Sequence, residues 1–194
     1  MKPENNIAYK EWASVEEALA RGMFAMSLRK GGIHEKRGEF TVEHREYFLF
    51  PTLVHQRESD LVPEVLPFLE ATKKSVPASP TEGEGKIPIR HYVVVEEAVF
   101  IEDLKLAHAL TGLHPFTPAA VDMRFNYKKP GIWAIVERLY ALPHTLTIDD
   151  NRLYAGCRSW VPLEKALSTG GAKPVLDDDA FAVRVAKIRE VLGN

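Results

Sequence analysis

Residues 132–142, IWAIVERLYAL, are apolar in both phases of a period-two pattern. Ile132, Ala134 and Val136 face one way, Trp133 and Ile135 the other. A strand with no polar side has no face to give to water, so it belongs in the middle of a sheet that is covered on both sides. The other strand signals are residues 23–28, apolar and short, residues 47–53, and residues 87–101, rich in Val and Ile. Pro51 lacks an amide donor and puts its stretch at a sheet edge or a strand end.

Helices are predicted around these strands. Ser14-Val15-Glu16-Glu17 has the form of a capping box, with Gly22 placed to end the helix that follows. Residues 59–74 read as a helix bent at Pro67, residues 102–111 as a short helix, and residues 162–167 as a helix with proline in its first turn. Residues 120–127 alternate loosely. Asp177-Asp178-Asp179 suits a helix N-terminus, and Phe181, Val185, Ile188 and Leu192 form the apolar stripe of a helix that docks on a sheet. Strands and helices do not alternate regularly. The expected class is therefore α+β, with a mixed, strongly curved sheet and flanking helices.

At 194 residues and 45% hydrophobic content, the chain can bury one sizeable core. Residues 1–194 are read as a single domain. Residues 75–86, SVPASPTEGEGK, form a flexible loop that marks off two halves. The formal net charge of −2 carries no bulk signature for nucleic acid, so any anion site has to be local. One cysteine, Cys157, allows no intramolecular disulfide, and the opening MKPENNIAYKEW lacks the apolar run of a signal peptide. A cytoplasmic location is the expectation. No apolar run approaches the roughly 20 residues that cross a bilayer.

The chemistry concentrates in residues 28–56, LRKGGIHEKRGEFTVEHREYFLFPTLVHQ: a strand, a polar loop and a second strand. Arg29 and Lys30 emerge where the first strand leaves the core, beside Gly31-Gly32, whose amides could approach an anion. The same residues also suit a solvated hairpin turn. The segment imitates a Nudix box but fails its spacing. Six residues after Gly32 comes Gly38, and Arg45-Glu46 leads into an apolar strand where paired glutamates should follow. His34, Glu35, His44 and His55 are the candidates for acid–base chemistry. Their spacings match no helix-borne metal motif, so no metal and no cofactor is expected.

A second basic group, Arg124, Asn126, Tyr127, Lys128 and Lys129, precedes the central strand, interleaved with aromatic rings. Arg158 and Trp160 stand in a third cluster around Cys157. Guanidinium and ammonium groups for phosphates, with rings for bases, are the ingredients of nucleic-acid contact. A basic turn flanked by core aromatics is the alternative. The binding candidates are thus Arg29, Lys30, Gly31, Gly32, Arg45, Arg124, Asn126, Lys128, Arg158 and Trp160.

Lys10-Glu11-Trp12, LRKGGIHE, VEHREYFLFPTLVHQ, RFNYKKPGIWAIVERLYALP and YAGCRSWVPL, in this order, resemble the uncharacterised bacterial family known as domain of unknown function 1802, over about residues 7–167. The resemblance implies that the separate clusters form one site, and it places the family near nucleic-acid processing. It implies no activity. A helix ending in glycine, then a strand running into Arg-Lys-Gly-Gly, is similar to the PUA-like ASCH domains, which implies a small curved barrel. The function expected is a nucleic-acid or nucleotide-anion binding domain. A hydrolase of nuclease or phosphatase type, using the His and Glu residues of segment 34–55, and a subunit-interaction module remain open, as does the oligomeric state.

Overall fold

The computed structural model describes residues 1–30, 41–74, 76, 85–156 and 158–193. Gly31, Gly32, His34, Glu35 and Cys157 lie outside the described residues, as does most of segment 75–86. In chain order the elements are β1 (Glu4–Trp12), α1 (Ala13–Ala20), β2 (Met26–Arg29), β3 (Glu46–Thr52), α2 (Leu66–Lys73), β4 (Lys86–Ile101), α3 (Leu104–Ala109), α4 (Pro118–Asn126), β5 (Ile132–Asp149), β6 (Trp160–Ser168), β7 (Lys173–Pro174) and α5 (Asp178–Leu192).

All seven strands join one sheet in the order β2-β5-β4-β3-β1-β6, with β7 added to β5. The β1–β3 pair is parallel and the rest are antiparallel, so the sheet is mixed. The strand that is apolar on both faces does lie inside the sheet, between β2 and β4. The β4–β5 ladder shifts register between Ile89 and His91 and again between Val95 and Glu97, and such irregularities bend a sheet. Strand pairing among the described residues does not close the sheet into a barrel: β2 and β6 are its two edges there.

One core holds α1, α2, α4 and α5 against β2, β3 and β5, with Leu28, Leu49, Ile135, Phe125 and Phe181 among its buried side chains. A second core packs Phe48, Phe50, Tyr92 and Tyr154 on the other side of β1, β3 and β6.

Several local expectations give way to tertiary context. The first helix begins one residue before Ser14, and no side chain caps it. Ser14 is buried, and its backbone N–H and hydroxyl both donate to Gln56 Oε1, at 3.1 and 2.8 Å. Pro67 starts α2 rather than bending it, because the preceding turn is a separate 3-10 segment at Pro63–Val65. Pro51 sits in β3 beyond its rungs with β4, where no donor is needed on that side. Residues 118–126 are helical, capped by the Thr117 hydroxyl. Residues 160–168 form an edge strand instead of a helix, with Pro162 opposite Ile7.

Gly131, at the entrance to β5, has φ +122°, and a Cβ there would run into the Phe100 ring. Gly131→Ala is expected to cost about 2 kcal/mol, from strained backbone and displaced ring together. Thermal unfolding should show it as a Tm lowered by roughly 5 °C.

Candidate functional site

One side of the sheet carries polar groups where a core would ordinarily be apolar. Register explains their convergence. Arg29 faces Trp133, and Ser27 faces Ile135, across the β2–β5 ladder, so both share a face with Glu137. Tyr47 on β3 donates to Glu137 Oε1 at 2.8 Å. Tyr9 and Glu11, two residues apart on β1, project to the same side. The rings of Tyr9 and Tyr47 lie 5.1 Å apart.

Arg29 links the two edges of this surface. Its guanidinium lies 4.7 Å from the Tyr9 ring, donates to Ser159 Oγ at 3.1 Å, and approaches Glu11 Oε1 at 3.8 Å. Ser159 immediately precedes β6, so the contact spans from one sheet edge to the other. Trp160, on β6, packs 4.9 Å from Tyr9, 5.1 Å from Tyr47 and 5.0 Å from the His44 ring, and its indole N–H donates to the carbonyl of Thr41 at 3.0 Å. A run of rings and guanidinium therefore extends from His44 through Trp160 and Tyr9 to Arg29.

Arg124 continues it. The α4 helix lays its guanidinium 4.0 Å from the Phe116 ring and 4.8 Å from the Trp12 ring, with a long 3.5 Å contact from Nη1 to the carbonyl of Leu28. Burial pulls Arg124 down to about 10, opposed by the charge of Glu11 and reinforced by that of Arg29, so it stays cationic at neutral pH. Desolvation pushes the Glu137 carboxyl up to about 7; the Tyr47 hydrogen bond opposes this and the nearby charge of Glu11 adds to it. Tyr47 itself is raised well above its ordinary value by burial and then by Glu137.

Of the residues singled out in the sequence, Arg29, His44, Arg124 and Trp160 are brought into this run. Lys30 stands beside it with another task. Its ammonium donates to the carbonyls of Phe125 (3.2 Å), Lys129 and Gly131 (2.5 Å), which staples the turn after α4 to the end of β2. Asn126 closes α4 by donating to the carbonyl of Asp122 at 2.9 Å. Lys128 is exposed, with φ +62° and its ammonium 5.3 Å from the Tyr127 ring. Arg45 and Arg158 are exposed, next in sequence to His44 and Ser159 respectively. His55 is exposed beyond the far end of β3, with φ +60°. Six residue steps along that strand, roughly 20 Å, separate its two ends, so His44 and His55 serve different places.

Sequence reasoning missed Tyr9, Glu11, Tyr47, Glu137 and Ser159. For Glu137 a signal existed: a carboxylate in the most apolar strand of the chain, in phase with Trp133 and Ile135. Among the described residues no three His, Cys, Asp or Glu side chains are grouped to hold a metal ion, and no helix is long and apolar enough to cross a membrane. A groove of about 550 Å³ lies elsewhere, between α5 and strands β4 and β5. Its arginines are already paired, Arg138 with Asp178 and Arg189 with Glu96 and Glu97.

Glu137 makes stability depend on pH. Its folded value of about 7 exceeds the ordinary 4.5, so the folded chain keeps a proton that the unfolded chain releases. The stabilisation is complete below pH 4.5 and is lost as pH rises through 7, a change of about 3 kcal/mol. Denaturant unfolding from pH 4.5 to 8 should show this fall in the parent protein, and Glu137→Gln should remove that part of the slope.

The sequence matches, over residues 8–187, the family described as Domain of unknown function (DUF1802). It matches none of the curated proteins. Among solved structures, the chain is similar to the crystal structure of ASCH from Zymomonas mobilis, at 9% identity and a TM-score of 0.39, covering 93% of this chain and 92% of that one. It is similar also to two point mutants of the same protein, each at 10% identity. Their TM-scores are 0.41 and 0.40, with 93% of this chain covered in both cases and 94% and 96% of theirs.

Proposed function

The chain belongs to the family described as Domain of unknown function (DUF1802), and we propose that it is a binding domain for nucleic acid or a nucleotide-like anion, working in the cytoplasm. One observation carries the reading: the His44 and Trp160 rings, 5.0 Å apart, stand at the end of the run that leads through Tyr9 to Arg29. Both rings are half-buried, so each keeps some surface for a ligand while the other side is held by the sheet. Two exposed arginines stand close to them in sequence: Arg45 follows His44, and Arg158 lies two residues before Trp160.

The chemistry of such a face is complementary to a nucleotide strand. Bases stack on aromatic faces with little regard for sequence, and arginine forks fit phosphate oxygens. Arg29 is held by Ser159, Tyr9 and Glu11, which fixes its fork and lowers the entropy lost when a ligand binds. Lys128 adds a third exposed cation at the end of α4. A single cysteine among 194 residues fits the cytoplasmic setting.

A hydrolase is the second reading, and one feature favours it. Glu137 is a buried carboxyl pushed up to about 7 by desolvation and bonded to Tyr47 through Oε1. Turnover of phosphodiester or phosphomonoester substrates that disappears in Glu137→Gln, with binding retained, would favour this reading over the first.

Binding of short single- and double-stranded DNA and RNA, measured from low to moderate salt, tests the proposal. The parent should bind with affinity that falls as salt rises. Arg45→Ala and Arg158→Ala should each weaken binding and reduce the slope of log affinity against log salt by about 0.7 on single strands, with unchanged Tm. Absence of salt-dependent binding to all four probes would overturn it.

A further inference from the structure

Arg124 and His114 each carry a buried donor that no described residue satisfies. His114 is fully buried, and its Nδ1 accepts the backbone N–H of Phe116 at 3.2 Å. A ring nitrogen that accepts carries no hydrogen, so the hydrogen of the neutral ring is on Nε2. That Nε2–H is buried without a partner among the described residues, and so is the Nε–H of Arg124. Arg124 has no carboxylate within ion-pair distance among the described residues. The nearby acids are engaged elsewhere: Glu11 accepts from the Trp12 amide at 2.8 Å and faces Arg29, and Asp60 accepts from the Ser59 hydroxyl at 3.3 Å.

Both side chains neighbour one ring. The Arg124 guanidinium lies 4.0 Å from the centre of Phe116, and the His114 ring centre lies 6.1 Å from it. The segment that carries them is tied down. Phe116 pairs with Leu61, Val62 N–H donates to the carbonyl of Pro115 at 3.1 Å, and Thr117 N–H donates to the carbonyl of Asp60 at 3.0 Å. Buried donors are nearly always satisfied in folded proteins, and a cation among them calls for a partner of opposite charge. Burial and the charge of Arg124 hold His114 down at about 4, so its ring stays neutral over the physiological range.

We propose that Arg124 and His114 form a buried oxyanion site, in which a phosphate or carboxylate group accepts from Arg124 Nε–H and His114 Nε2–H beside the Phe116 ring. The site lies one contact away from Arg29, because Arg124 also reaches the carbonyl of Leu28. Assigning the oxyanion to a phosphate of the bound ligand rests on the binding function proposed above; the site itself rests on the two donors.

The test is thermal unfolding in inorganic phosphate, in acetate and in chloride at equal ionic strength. The variants are His114→Asn, which keeps an acceptor for the Phe116 amide but loses the distal donor, and Arg124→Lys, which keeps the charge but loses Nε–H. Phosphate should raise the Tm of the parent by about 3 °C over chloride, and both variants should lose that rise. A rise in acetate as well would extend the site to carboxylates; a rise in phosphate alone would restrict it to phosphate. Equal Tm in all three salts would mean that the donors hold water only, and would overturn the proposal. An undiminished rise in His114→Asn would also overturn it, by placing the phosphate elsewhere. Loss of the rise in His114→Asn, in a parent that binds no DNA or RNA, would leave the oxyanion site standing while the nucleic-acid reading falls.

Discussion

The polar side of the sheet depends on Arg29 spanning the gap between the sheet edges. Strand pairing leaves β2 and β6 unjoined, and the Arg29–Ser159 bond of 3.1 Å connects them through side chains. A backbone ladder there would have closed the sheet and filled its interior. A guanidinium does the connecting with five donors and a flat face, so it can hold the edges through contacts on several sides at once. Tyr9 beneath it and Glu11 beside it keep it in place.

The arrangement is costly as pure structure. Glu11 and Glu137 are nearly inaccessible, and each removes a carboxylate from water. Apolar residues of similar volume would generally stabilise such a site at least as well. The protein instead surrounds the carboxylates with a phenol, a guanidinium and a second carboxylate, and one consequence is a group that changes charge near neutral pH. Buried ionisable clusters of this kind are more characteristic of binding and catalytic sites than of cores.

Lys30 and Arg124 show two ways in which a fold can hold a cation. Lys30 is enclosed by three carbonyls and anchors the turn that leads into the central strand. Arg124 has aromatic rings on two sides and only one long contact to a carbonyl. Similar residue types, near each other, therefore differ in how far carbonyls of the fold itself answer their charge.

Much of this was written in the sequence, because it depends on periodicity alone. The apolar strand at 132–142, the Val-rich strand before it and the amphipathic C-terminal helix are local patterns, and each folds as its pattern predicts. The α+β class and the mixed curved sheet follow from their order. The basic and aromatic clusters were also legible as clusters. Tertiary structure alone decided which of them meet. Ser14 turned from cap to Gln56 partner, and residues 160–168 became an edge strand, because contacts distant in sequence outweigh local propensity. The pairing of Arg29 with Ser159, and of Tyr47 with Glu137, joins residues 130 and 90 positions apart, and no spacing rule reaches that far. A one-residue slip in a ladder would turn each side chain to the opposite face, so only the register of the finished sheet brings these groups together.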